Sequence, residues 1–235
     1  MLAGYLAGVA GFVNSWGFVR LGLFTSHVTG NVSRFADQVV AGHAEAAAAL
    51  AMIASFFGGA FVSSMALESN VARRRPRIYA ALLATEAGLL AAAMAAGTVH
   101  AMPEGVLLCW AMGMQNSFVT RLSGAIVRTT HLTGVVTDLG IEAARWFRFW
   151  RSEVARRTGL RVVVGAAMAE PPPHDRAVLL LTILCAFAVG SIGGAYGGIC
   201  FGEAALALPI ALLLCGALVA FVTRAQLPPR DQTAS

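Results

Sequence analysis

Six stretches of the chain are apolar over roughly the length that a helix needs to cross a bilayer: 2–19, 46–67, 78–99, 104–120, 177–199 and 204–223. A hydrocarbon core of roughly 30 Å takes about 20 such residues in a helix. The second and fifth carry no charge at all. The first and fourth are shorter, rich in glycine and interrupted by Asn14 and Trp16 in one and by Gln115 and Asn116 in the other. In the first, Gly4 and Gly8, and Ala7 and Gly11, stand at the small-xxx-small spacing that lets helix backbones approach closely in lipid. The pattern predicts an all-α integral membrane bundle of about six transmembrane helices, with helices 1 and 4 broken.

Two polar stretches repeat. Ser26-His27-Val28-Thr29-Gly30-Asn31 follows the first apolar run, and Thr130-His131-Leu132-Thr133-Gly134-Val135 follows the fourth. Upstream, Gly11-Phe12-Val13-Asn14-Ser15 is echoed by Gly113-Met114-Gln115-Asn116-Ser117. The chain therefore reads as one membrane domain, 1–235, made of a first repeat over 1–99 and a second over 103–223. Three crossings per half force the halves into opposite orientations, so the expected repeat is inverted. Gly58-Gly59-Ala60-Phe61 in helix 2 and Gly193-Gly194-Ala195-Tyr196 in helix 5 support the pairing. A weaker echo links Thr85-Glu86-Ala87 with Gly202-Glu203-Ala204.

Composition agrees with a membrane class: 57% of residues are hydrophobic and only 12% charged, too apolar for a soluble domain of 235 residues. The 17 basic residues are all arginine, which reads as a GC-rich coding bias rather than a nucleic-acid site. Fifteen of them fall in the connections 68–77 and 121–176 and in the tail after 223, against Arg20 and Arg34 on the other side. By the positive-inside rule both termini and the long connection are cytoplasmic. The first apolar run begins at Leu2 without the charged n-region and cleavage site of a signal peptide, so it is expected to remain as a spanning helix. Cys109, Cys185, Cys200 and Cys215 lie in or at the ends of apolar runs without CxxC spacing, which suits free thiols.

The candidate chemistry lies in the repeated turns. Thr29 and Thr133 each precede a glycine and a helical run, 30–41 and 134–150, and are expected to cap those helices. Two helix N-termini turned toward a common centre would favour an anion or carboxylate. His27 and His131 would add proton-sensitive hydrogen bonding, and Arg128 further positive charge. The candidate solute-binding set is therefore Asn14, Ser26, His27, Thr29, Gly30, Asn31, Asn116, Arg128, Thr130, His131, Thr133 and Gly134. The plainer alternative is that both turns only satisfy backbone groups at a helix break, with Asn14 and Asn116 bonding between helices. Glu86, well inside helix 3, is the candidate proton-coupling group, since intramembrane acids are functional candidates by default. Pairing with a cytoplasmic arginine, or a hydrogen bond to a neighbouring helix, is the structural alternative for it.

Leu139, Ala143, Trp146, Phe147 and Trp150 recur at helical spacing beside Arg145, Arg148 and Arg151. Residues 138–151 thus read as an amphipathic helix on the cytoplasmic surface, with membrane lipids as partner. Residues 152–176, with Pro171-Pro172-Pro173 and an apolar run too short to span, read as a cytoplasmic loop. No phosphate loop, HExxH or GxSxG is present, and His27 and His131 make a poor case for a metal site. An enzyme, a metal and a cofactor are not expected.

The blocks Gly11-Phe12-Val13-Asn14-Ser15-Trp16-Gly17-Phe18 with Thr25–Asn31, and Gly113–Leu122 with Arg128–Leu139, resemble the YoaK-like family of bacterial multi-pass membrane proteins, domain of unknown function 1275. The resemblance covers nearly the whole chain and implies a six-helix protein of the bacterial inner membrane. Members often carry Asp where this chain has Asn14, so an acidic role there is absent here. The functional expectation is a small secondary transporter or permease-like protein for a small, anionic solute, proton-linked. The alternative is a non-transporting scaffold or accessory protein, and a membrane enzyme ranks below both.

Overall fold

A computed structural model describes residues 2–43, 45–68, 77–97, 99–122, 130–158 and 174–223, and the described regular structure is entirely helical. In chain order the elements are α1 (Leu2–Leu21), α2 (Val28–Val40), α3 (Ala46–Glu68), α4 (Ile78–Gly97), α5 (Ala101–Leu122), α6 (Leu132–Thr158) and α7 (His174–Phe201). A 3-10 turn (Gly202–Leu206) and α8 (Ala207–Val222) follow. By length and composition α1, α3, α4 and the run His174–Val222 are apolar enough to cross a membrane. The stretch 104–120 forms α5 but is not among them. Its polar residues are tolerable because α5 is enclosed: Leu108, Cys109, Ala111, Met112, Gln115 and Phe118 are all buried.

The run His174–Val222 is 49 residues long, more than twice what a 30 Å core takes. It does not continue straight. Gly202 has a φ of 57°, a left-handed conformation that glycine adopts without a Cβ penalty, and the 3-10 turn follows it. The long connection is also shorter than expected, since α6 runs on through Thr158 and α7 begins at His174. The remainder of the 152–176 loop lies outside the described residues.

Contacts between named residues give the helix directions. Along α1 and α7, Gly4 meets Thr182, Gly8 meets Gly190, Phe12 meets Gly194, and Arg20 meets Glu203 just past the end of α7, so the two run parallel. Along α3 and α5, Ser55 donates to Val106 O, Gly59 meets Trp110, Ser64 bonds Ser117 and Glu68 pairs with Arg121, so these also run parallel. α5 is antiparallel to α1, because Gln115 lies against Leu6 while Gly105 lies against Leu23. α4 is antiparallel to α5, with Gly97 against Glu104 and Tyr79 against Phe118. α8 is antiparallel to α4, with Arg77 over Phe221 and Leu83 against Gly216. α1, α3, α4, α5, α7 and α8 therefore alternate in direction, and the chain reverses at Gly202.

The two parallel pairs share one packing device. A Cβ at Gly11 would strike the Phe187 carbonyl, and one at Gly113 would strike the Phe56 carbonyl. A Cβ at Gly190 would strike the Gly8 carbonyl, and one at Gly59 the Trp110 carbonyl. Here the obstacle is backbone, which cannot swing aside, so glycine sets how closely the helices approach. The match places Gly59 opposite the role of Gly190, one turn from the Gly194 that the Gly-Gly-Ala echo selects. Each pair also ends in an arginine–glutamate ion pair, Arg20–Glu203 in one and Arg121–Glu68 in the other. By the register that the glycine contacts set, Glu68 corresponds to Ile199, one turn before Glu203.

Candidate functional site

After α1 ends, Gly22 with a φ of 67° turns the chain back. Thr25 comes to lie beside Gly17, and Ser26 reaches the level of Asn14. Asn14 Oδ1 accepts from the Ser26 backbone N–H at 3.1 Å and from Ser26 Oγ at 2.8 Å. Asn14, Thr25 and Ser26 are buried. From there α2 climbs back, and Arg34 Nη1 donates to the Gly22 carbonyl at 3.0 Å. The second turn repeats the clasp: Thr130 Oγ1 donates to Asn116 Oδ1 at 3.0 Å. Each asparagine therefore bonds the turn that follows its own helix. Neither of these bonds joins two membrane-length helices.

The His-x-x-Gly spacing has its own physical cause. At Gly30 a Cβ would lie 2.6 Å from His27 Nδ1, and at Gly134 one would lie 2.7 Å from His131 Nε2. Each imidazole folds over the glycine one helical turn ahead and occupies the space a side chain would need. His27 is the N-cap of α2 by position and makes no side-chain cap bond, while its carbonyl accepts from Asn31 N–H at 3.1 Å. The His131 carbonyl accepts from Val135 N–H in the same way. Thr29 and Thr133 stand second in α2 and α6 and are exposed, so the expected threonine caps are replaced by histidine at the entry position. Asn31 is buried and donates to the Phe24 carbonyl at 3.3 Å, tying the turn to its helix. His27 and His131 are exposed, and Arg128 lies outside the described residues.

The turns sit toward opposite ends of the bundle. Gln115 Nε2 donates to the Leu6 carbonyl at 2.6 Å, which sets Asn116 near the level of Leu6. Asn14 stands eight residues further along α1, about 12 Å at the helical rise. The chain thus brings Asn14 together with Ser26, and Asn116 together with Thr130, as two separate clusters rather than one centre.

Glu86 is the ninth residue of α4, 1% exposed, and its Oε1 has no hydrogen-bond partner. It lies among the buried residues of α4, including Leu82, Leu83, Ala87 and Leu90, and no ion pair to it occurs among the described residues. Gln115 Oε1 and Ser63 Oγ are likewise buried and unpartnered. Sequence reasoning passed over Ser63, Glu104 and the role of Arg20. Glu104 opens an apolar run and so reads as an interfacial charge, yet it is 1% exposed. No metal-ligating group of three or more His, Cys, Asp or Glu occurs among the described residues. An apolar cleft of about 1010 Å³ between α1, α7 and α8, lined by Gly8, Phe12, Gly190, Tyr196 and Leu208, contains none of the turn residues.

The amphipathic segment is anchored through one face. Arg176 of α7 bonds Asp138 at 3.0 Å and approaches buried Glu142 at 3.8 Å, and Trp146 packs on His174 with ring centroids 4.5 Å apart. Val136, Ala143, Phe147, Trp150 and Val154 form an exposed stripe along the helix at spacings of three, four and seven residues. No curated protein and no solved structure matches the chain. Residues 2–219 match the family model described as "Protein of unknown function (DUF1275)", and the chain belongs to that family.

Proposed function

We propose that this protein is a small secondary transporter built from two inverted three-helix repeats, crossing the bacterial inner membrane six times with both termini cytoplasmic. The observation that carries the reading is the pair of asparagine-held turns on antiparallel α1 and α5, one toward each end of the bundle. Inverted repeats give a transporter two equivalent halves that can exchange roles between inward and outward states; the expected breaks within helices 1 and 4 are absent, since α1 and α5 are each continuous and the chain breaks only at the turns after them. The matching glycine contacts and the matching terminal ion pairs support the same relation.

In this reading a small anionic solute meets the exposed N-terminal turns of α2 and α6 in succession. His27, Thr29 and Gly30 serve one side, and His131, Thr133 and Gly134 the other, with Asn14, Ser26, Asn31, Asn116 and Thr130 holding their shape. Arg128 belongs to the second group by sequence. Glu86, a carboxyl without a partner in the middle of α4, is the proton-coupling group. The exposed stripe of α6 rests on membrane lipid. No cofactor or metal enters the mechanism.

A scaffold reading draws on the same turns, because each asparagine satisfies its own turn and the two clusters do not meet. Proteoliposomes loaded with a panel of radiolabelled small carboxylates and inorganic anions separate the two. Transport predicts uptake of at least one member that collapses in a His27→Ala, His131→Ala double variant. Absence of uptake across the panel supports the scaffold, and uptake untouched by the double variant removes the histidines from the mechanism.

A further inference from the structure

Four helices converge where α1 ends. Arg20 and Trp16 come from α1, Gly97 from the end of α4, Glu104 from the first turn of α5, and Gly202-Glu203 from the bend after α7. Trp16 Nε1 donates to the Gly202 carbonyl at 2.9 Å, which fixes the bend, and Arg20 Nη2 donates to Glu203 Oε1 at 3.0 Å. The Glu104 carboxyl is folded over Gly97, where any side chain would strike it. It is 1% exposed, and its Oε1 has no donor; Glu203 Oε2 is buried without a donor as well. The two carboxyl side chains lie within hydrogen-bonding reach of each other.

Two carboxylates have four acceptor oxygens and no hydrogen between them. They can lie side by side in a buried place only if a proton bridges them, as in carboxyl dyads, or if a cation does. Arg20 supplies one positive charge, and one shared proton then brings the triad to neutrality. The Glu203 side chain is 22% exposed, so solution protons reach the pair through it while Glu104 stays enclosed. Arg20 and Glu203 are the charged groups acting on Glu104, and Gly97 contributes none.

We infer that Glu104 and Glu203 form a proton-binding site that holds one shared proton, balanced by Arg20, at the end of the bundle opposite the arginine-rich connections. The step is simple: one proton from the adjoining solution joins an O–H bond on one carboxyl and a hydrogen bond to the other, and leaves by the same route. This site is separate from Glu86 and does not depend on transport. A protein that moves no solute would still carry it, so failure of the transporter reading leaves it standing.

Infrared difference spectroscopy of the full-length protein in lipid vesicles tests it through the C=O stretch of protonated carboxyl groups, in a Glu86→Gln background that removes the unpaired buried acid of α4; Glu142, also buried, is ion-paired with Arg145. At neutral pH and low salt the protein should show a protonated-carboxyl signal that disappears at alkaline pH. Because the proton belongs to the pair, Glu104→Gln and Glu203→Gln should each abolish the whole signal. Arg20→Gln keeps both acids and changes a partly exposed side chain, so it serves should either glutamine variant not fold. It should move the loss of signal upward by about one to three pH units, and Arg20→Lys should largely restore the original midpoint. A signal surviving both single glutamine variants overturns the proposal. So does a protein with no signal at neutral pH that is stabilised against heat by added sodium chloride or calcium chloride, which would make the pair a cation site.

Discussion

The two ends of the bundle are built from the same parts and finished differently. At one end Arg121 pairs with Glu68, both half-exposed, and the pair stands in the open. At the other Arg20 pairs with Glu203, but a second, buried carboxyl from Glu104 has been added beneath them. Exposed ion pairs contribute little to stability, on the order of 0–1 kcal/mol, whereas a buried unpartnered acid is costly. Repetition of the helix packing is what any duplicated fold needs. The extra acid has no such justification, so the difference between the ends, more than their likeness, points to chemistry.

The likeness itself breaks most severely at the glycines. Gly113→Leu and Gly59→Leu should prevent α3 and α5 from closing, and Gly190→Leu should do the same to α1 and α7. Each should lose the monodisperse folded peak in detergent size-exclusion chromatography. Gly88, against which nothing packs, is the control: Gly88→Ala should leave the thermal transition unchanged or raise it by an amount worth up to about 1 kcal/mol.

Next in size come the clasps, which are alike but not equal. Asn14→Ala strips two hydrogen bonds from a buried turn and leaves the Ser26 N–H without a partner, a loss of about 1–3 kcal/mol in thermal or chemical unfolding. Asn116→Ala removes one bond from a half-buried place and should cost about 1 kcal/mol. Equal losses would mean that the second turn is as deeply built in as the first. The smallest effect belongs to the open ion pair: Arg121→Gln should change stability by no more than about 1 kcal/mol, and added salt should erase the difference.

The helices were legible because apolar length is a direct physical requirement, and the duplicated turns because their residues are nearly identical. What the sequence hid was register. α7 carries Gly190, Gly193, Gly194, Gly197 and Gly198, so several alignments with α3 look alike until the backbone contacts select Gly190 for Gly59. Thr29 looked like a cap because threonine often is one; the His27-to-Gly30 spacing, which lets an imidazole fill the place of a missing side chain, was the better signal. Glu104 escaped because its burial depends on Gly97 and Glu203, which lie far from it in different parts of the chain or across a turn. The common centre expected for the two turns depended on depth, and depth is set by the Gln115–Leu6 contact between α5 and α1.

An inverted repeat requires the two turns to face opposite sides of the membrane. Single cysteines at Thr29 and Thr133, both exposed, can be placed in a protein lacking Cys109, Cys185, Cys200 and Cys215 and treated with a membrane-impermeant maleimide. Intact spheroplasts should label Thr29→Cys and spare Thr133→Cys, and inside-out vesicles should reverse the pattern. Labelling of both from the same side would contradict the inverted arrangement and the transporter reading with it.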